Sequence, residues 1–310
     1  MPASGIPSDV TDANPPNQRH HIMPASRLIR YFPAIFIFIW ASGYVVAKFG
    51  LPYAEPLTFL CLRYSGVVLM MMLFAIFMHA PWPSKKQVLP IAVAGILMQA
   101  GYLGGIWCAV KLGMPAGVAA LIANIQPILT AVAGPLIGER VRGKQWFGLA
   151  LGISGVALVV SNKISAIGLS GASIALAVMA LFSMTTGTLY QKRFCPAVDV
   201  RTGQVIQFAA SLLVTLPFAL MLETQTIQYT ARFFIAMAWS VLVLSGIGIS
   251  VLFVMIRHGE ATKVTSYMYL VPAVTALMAW LMFGESFTLT AATGMLIALA
   301  GVALVVRPSR

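Results

Sequence analysis

The hexapeptide Gly155-Val156-Ala157-Leu158-Val159-Val160 occurs a second time as Gly301-Val302-Ala303-Leu304-Val305-Val306. Each copy closes an apolar segment that follows a Gly-Glu pair, Gly138-Glu139 in the first and Gly284-Glu285 in the second. From Gly-Glu to the hexapeptide the copies align without a gap at an offset of 146 residues. Upstream, each has an apolar stretch broken by a proline with a threonine three residues on, Pro127 with Thr130 and Pro272 with Thr275, at an offset of 145. A repeat of this kind decides the architecture, so it is weighed before any local motif.

Composition says what surrounds the repeat. Of 310 residues, 59% are apolar and 9% charged, with a mean hydropathy of +0.89. Soluble domains run at about 25% charged, and eight acidic residues cannot dress a soluble surface of this size. The chain reads as an all-α integral membrane protein. A net charge of +12 would suggest nucleic acid in a soluble protein, but a bilayer gives another reason for it, since Lys and Arg collect in cytoplasmic loops. Cys61 and Cys108 fall in apolar segments and Cys195 in a basic loop, so no disulfide framework is implied. No cofactor or metal site is expected. Residues 1–30 are polar and proline-rich and read as a disordered cytoplasmic tail without a cleavable signal.

A bilayer-spanning helix needs about 20 mostly apolar residues. Ten segments qualify, near 31–49, 56–78, 88–110, 115–137, 143–161, 168–190, 202–222, 231–256, 261–283 and 287–306. With the N-terminus in the cytoplasm, 15 basic residues fall inside and four outside (Lys48, Lys111, Lys163 and Arg232), leaving Arg63 within a helix. That asymmetry predicts both termini cytoplasmic. The expected units are 31–161 and 168–306, each of five helices. Five is odd, so the second unit enters the membrane in the opposite sense. Inverted repeats of this type give secondary transporters two interchangeable gates around a midplane site.

With ten helices in two homologous halves, proline-broken fourth and ninth helices each followed by Gly-Glu, and glycine-rich fifth and tenth helices, the chain resembles the EamA-type permeases of the drug/metabolite transporter superfamily. Trp40-Ala41-Ser42-Gly43 and Arg63 in the second helix are similar too. The resemblance covers roughly residues 31–306. It implies gradient-linked movement, mostly export, of amino acids and other small metabolites through a bacterial inner membrane, and leaves the substrate open. The expected partners are a small molecule, amino-acid-like or aromatic, and the bilayer. Nucleic acid is not expected, and the chain is read as a monomer or homodimer.

Gly138 to Lys144 spells the start of a phosphate-binding loop, yet Gln145 stands where Ser or Thr must hold magnesium, and a membrane helix precedes it. The match is accidental. Pro127 and Pro272 each remove a helical hydrogen bond, and Asn124, Gln126 and Thr130 surround the first, Tyr267, Tyr269 and Thr275 the second. These sites are expected to form cavity walls and hinges; packing kinks are the plainer reading. Trp40, Tyr44, Gln99, Tyr102, Trp107, Tyr190, Gln191, Gln204 and Gln207 lie inside helices, and uncharged side chains of this kind can hold a zwitterionic or aromatic molecule. Trp40, Tyr44, Gln99 and Tyr102 are the candidates, while aromatics near helix ends such as Tyr190 fit interface anchors better. Glycine stripes Gly148-x-x-x-Gly152-x-x-Gly155 and Gly294 to Gly301 permit close helix approach, within the bundle or between protomers.

Arg63 is the one strong cation inside an apolar segment. An intramembrane charge costs at least about 2.5–3.5 kcal/mol, so it is expected to have a partner or water. One reading has it attract a carboxylate substrate. The other, favoured on sequence alone, has it snorkel outward toward Glu55 or backbone carbonyls. Glu139 and Glu285, near helix ends, are the coupling candidates, Glu139 being more simply a partner of Arg140 or Arg142. The competing functions are a passive channel or scramblase and, more remotely, a membrane-embedded enzyme; the chain has no His-Glu-x-x-His, no paired intramembrane aspartates and no Gly-x-Ser-x-Gly.

Overall fold

The computed structural model describes residues 31–133, 143–167, 169–195, 198–248, 250–251, 268, 270–285 and 288–306. They form α-helices with two wider π-type stretches. In chain order these are α1 (Phe32–Gly50), α2 (Pro56–Phe77), α3 (Lys85–Gly95), a first π segment (Ile96–Gly101), α4 (Tyr102–Lys111), α5 (Ala116–Ala123), α6 (Gln126–Val132), α7 (Gly143–Ile167), α8 (Gly171–Phe194), α9 (Val200–Leu222), α10 (Ala231–Ala238), a second π segment (Trp239–Ile247), α11 (Val271–Phe283) and α12 (Leu289–Val306).

Among the described residues, five helical stretches are long and apolar enough to cross a bilayer: Phe32–Gly50, Pro56–Phe77, Lys85–Lys111, Gly171–Phe194 and Val200–Leu222. The other expected spans are represented among the described residues by shorter apolar helices. Large apolar side chains such as Leu69, Phe77, Leu213, Met221 and Leu222 are exposed on the outside of the bundle, as lipid-facing helices require. Trp107, Tyr64, Phe36 and Phe59 are fully buried, and Phe59 stacks on Trp107 with ring centroids 4.6 Å apart.

The prolines differ from expectation in a specific way. The sequence reading puts Pro127 inside one helix over 115–137. Instead α5 closes at Ala123, and α6 opens at Gln126 with Pro127 in its first turn. Proline cannot donate to the carbonyl four residues back, which here belongs to Ala123, the last residue of α5. The first turn of a new helix has no such bond to lose. Pro272 sits likewise in the first turn of α11. Both prolines therefore start helices.

The π segments are new. Each interrupts what the sequence presents as one continuous span, the third in the first repeat and its counterpart in the second. A wide turn frees backbone carbonyls, and buried carbonyls need donors. In the first segment Ser183 Oγ donates to Leu97 O at 2.8 Å and Tyr64 OH to Gln99 O at 2.9 Å. In the second, Ser245 Oγ donates to Ser240 O at 3.3 Å. The first segment is also wedged between α8 and α9: a Cβ on Gly95 would stand 2.6 Å from Gln207 O, and one on Gly187 2.7 Å from Met98 Cγ.

The hexapeptide helices α7 and α12 pack on one another. A Cβ on Gly155 would stand 2.5 Å from Gly294 O and 2.9 Å from Ala298 Cα. One on Gly301 would stand 2.6 Å from Gly148 O and 2.8 Å from Gly152 Cα. The repeat offset of 146 exchanges the two sets: it carries Gly155 forward to Gly301, and Gly294 and Ala298 back to Gly148 and Gly152. Numbers rise along one helix as they fall along the other, so the pair is antiparallel and related by a local two-fold. The glycine stripes act within the chain.

Candidate functional site

Side chains from both halves enclose a cavity of about 510 Å³, within the ~300–1,000 Å³ usual for small-ligand sites. Its walls come from α1 (Trp40, Gly43, Tyr44), α2 (Arg63), the first π segment and α4 (Gln99, Tyr102, Trp107), the end of α8 (Gln191), the start of α9 (Gln204, Gln207, Phe208) and the second π segment (Leu244, Ser245). Five of the sequence candidates, Trp40, Tyr44, Arg63, Gln99 and Tyr102, thus line one space although they come from α1, α2, the π segment and α4.

Local chemistry fixes them there. Tyr44 and Tyr102 share a hydroxyl–hydroxyl hydrogen bond of 2.6 Å. The α1 backbone beside them is pinned from two sides. Trp239 Nε1 donates to Ser42 Oγ at 2.8 Å, and Thr275 Oγ1 donates to Ala41 O at 3.2 Å. Gln99 is presented by the π segment, whose wider turn is held by Tyr64 and Ser183. Gln207 Nε2 donates to Gln191 Oε1 at 3.1 Å, tying α9 to α8 along the wall. Such π turns recur where a helix must aim a side chain into a site.

Arg63 does not meet Glu55. The Glu55 carboxylate accepts instead from Thr224 N and Oγ1 at 2.6 and 2.9 Å. Arg63 is 7% exposed, and among the described residues no carboxylate pairs with it and its Nε has no hydrogen-bond partner. The Gln204 Oε1 acceptor is equally unpartnered.

The proline-flanking residues are placed elsewhere. Asn124 caps the end of α5, and Gln126 Nε2 donates to Thr188 Oγ1 at 3.1 Å; neither is among the lining residues. Tyr267, Tyr269 and Glu139 lie outside the described residues. Glu285 is described: its Oε1 accepts from Lys48 Nζ at 2.6 Å and from Ala116 N, the first amide of α5, at 3.2 Å.

The two ends of the bundle differ. At the end where α1 finishes, Lys48–Glu285 is joined by Glu223, whose carboxylate takes Leu57 N, Thr58 N and Thr58 Oγ1 at 2.7–2.8 Å. Gln228 N donates to Tyr53 O at 2.8 Å beside an antiparallel bridge of Ala54 to Ile227. These contacts lace the α1–α2 loop to the α9–α10 loop. At the other end the cavity reaches Cys195 and Val198–Val200, residues it shares in part with a second hollow of about 800 Å³ bordered by Met70, Met71, Phe74 and Met78. Asp199 caps α9 at this mouth, accepting from Arg201 N, Nε and Nη2 at 2.8–3.1 Å. The Arg201 guanidinium holds its carboxyl below the usual carboxylate range.

Trp107, Gln191, Gln204 and Gln207, which the sequence offers as amphipathic side chains inside helices, line the same space. Asp199 is a lining residue that the sequence does not single out: it lies in the α8–α9 turn, and the packing of α9 on the first π segment brings it to the cavity mouth.

The model of the EamA-like transporter family matches residues 31–161 and 171–307. The uncharacterized inner membrane transporter YedA of Escherichia coli K12 is 26% identical over 266 residues, covering 84% of this chain and 86% of its own. A probable amino-acid metabolite efflux pump of Salmonella typhimurium LT2 is 26% identical over 289 residues, covering 89% and 94%. The uncharacterized transporter YvbV of Bacillus subtilis 168 is 27% identical over 281 residues, covering 88% and 89%. One solved crystal structure shares the fold, with a TM-score of 0.63 at 15% identity, over 89% of this chain and 96% of that one.

Proposed function

We propose, on the premise that this chain belongs to the EamA-like transporter family and is therefore a membrane transporter, that it is a secondary carrier exporting amino acids or related small metabolites across a bacterial inner membrane by alternating access. The observation that carries this reading is the cavity itself. It is small enough for one metabolite, built from both halves, laced at one end and bordered at the other by Val198, Asp199 and Val200, which also line a further hollow. A channel needs a path through both ends; a carrier needs one end closed at a time. The substrate class is supported by the efflux-pump relative and by walls of aromatics and amides that carry a single cation, Arg63, and a single acid, Asp199, among the described lining residues.

Both termini are assigned to the cytoplasm on the 15-to-4 split of basic residues, which makes the laced end the outer one. Alternating access then consists of unlacing that end while the α8–α9 mouth closes, with the antiparallel α7–α12 pair relating the two movements. Glu285 is the coupling candidate among the described residues, because it joins α1, α5 and the end of α11 at one carboxylate. Reconstitution in liposomes tests the proposal. Saturable counterflow of an internally loaded amino acid is the expected result; flux that rises without saturation identifies a channel and overturns it.

A further inference from the structure

The geometry points to Arg63 as the anchor for a carboxylate on the transported molecule, which makes the substrate class small monocarboxylates carrying an N–H group, amino acids with apolar side chains foremost. This rests on the carrier reading above and narrows it.

A guanidinium offers five donors in a planar fork that fits a carboxylate through two parallel bonds. Arg63 presents that fork from a membrane helix, nine-tenths buried, at the wall of the cavity, with no carboxylate paired to it among the described residues. A residue placed to steady the helix would be expected to have its charge neutralised or its donors satisfied, and the near acid, Glu55, is spent on Thr224. Held this way, the charge is a liability to the empty protein that a bound anion removes.

The rest of the lining limits what that anion is. Among the described lining residues Arg63 is the one cation, and Asp199 at the mouth is the one acid. A dianion such as a phosphate ester would leave a negative charge unmatched at the single guanidinium, whereas a monocarboxylate matches it one for one, and the ammonium of an amino acid has its own acceptors in the lining, Gln204 Oε1 and the Asp199 carboxylate. The unpartnered Gln204 Oε1 in the same wall accepts an N–H. Trp40, Leu103 and Met184 supply apolar surface for the remainder of the molecule.

The test compares two panels on purified protein reconstituted in liposomes: the common amino acids, and the amines obtained by removing their carboxylates. Wild-type protein is expected to be trans-stimulated by the apolar amino acids and at least tenfold less by the matching amines. Arg63→Lys, which keeps the charge and loses the fork, raises KM about tenfold. Arg63→Met loses exchange at least a hundredfold while its thermal unfolding in detergent occurs at the same or a higher temperature, since an unpaired buried charge has gone. Amino acids raise the unfolding temperature of the wild type and leave that of Arg63→Met unmoved. Amines working as well as acids, Arg63→Met retaining selectivity, or Arg63→Met melting several degrees lower each overturn the anchor. Exchange of neither panel overturns it too. The carrier reading is then judged separately by exposing the same vesicles to a cytosolic extract: saturable uptake of any metabolite keeps it, and none removes it.

Discussion

Lys48 Nζ stands 2.6 Å from Glu285 Oε1, joining the last turn of α1 in the first repeat to the end of α11 in the second. The same carboxylate oxygen takes the Ala116 amide at the start of α5, where the positive end of a helix favours an anion. Three elements meet at one side chain, and their separation would uncover the Tyr44–Tyr102 end of the cavity. The pair is partly exposed, at 35% and 13%, so its worth is about 1 kcal/mol or less. Glu285→Gln should therefore shift the population of the unlaced form by about fivefold or less. The measurement is labelling of a cysteine at Gly43, in protein with its three native cysteines replaced by alanine, using an impermeant maleimide on the Lys48 side. Faster labelling is expected; an unchanged rate shows that this pair does not hold the end closed.

Glu223 caps a helix from 165 residues away, taking Thr58 N and Oγ1 in the first turn of α2 as well as Leu57 N. Removal leaves two first-turn amides without their carboxylate, a loss of about 1–2 kcal/mol by the scale of helix caps. Glu223→Ala should lower the unfolding temperature in detergent by a few degrees, and Glu223→Gln by less. Equal melting of both variants and the wild type refutes the cap.

The glycines make opposite predictions by position. Gly155→Ala and Gly301→Ala each push a methyl into the backbone of the facing helix, and the two should destabilise by similar amounts, more than about 2 kcal/mol. Gly171, in the first turn of α8, has no atom within 4 Å of its Cβ position, so Gly171→Ala should be neutral or stabilising by about 0.4–1 kcal/mol. Comparative thermal denaturation reads all three.

Tyr44→Phe deletes the bond to Tyr102 without changing the ring. A neutral hydrogen bond contributes about 0.5–1.5 kcal/mol to stability, so the unfolding temperature should fall by a few degrees at most, and KM for the exchanged amino acid should rise because Tyr102 is no longer held in place. No change in KM removes the tyrosine pair from the binding surface.

Asp199 gives the acid dependence. Its carboxyl is held below the usual range, chiefly by the Arg201 side chain. A depressed folded-state value means the stabilisation is complete above the unfolded carboxylate range and fades as pH falls through the depressed value. Wild type should thus melt higher than Asp199→Asn at neutral pH, with the two curves converging in acid. A gap that persists in acid assigns the difference to something other than this charge.

The repeat, the all-helical fold and five of the cavity residues were legible in the sequence, because hydropathy and identity at a fixed offset survive without any knowledge of packing. Trp40 and Gln99 stood out as polar-capable side chains in the middle of apolar spans. What was illegible depends on distance. Nothing near Lys48 predicts Glu285, and nothing near Thr58 predicts Glu223. The π segments carry ordinary apolar residues, so their period looks helical; Gly95 and Gly101 at the edges of the first were the available hint. The prolines read as interruptions of a helix, whereas α5 has already ended at Ala123 and the turn of Asn124 and Ile125 precedes the new helix in which Pro127 stands.

The contact between α7 and α12 also accounts for why the doubling is still readable at one place. Gly155 and Gly301 each dock on the other copy's Gly-x-x-x-small ridge. A bulkier residue accepted in either copy would have to be accommodated by the segment that is its own duplicate. A change at either glycine is thereby checked by the other copy, so the close approach ties the two repeats to each other at these positions.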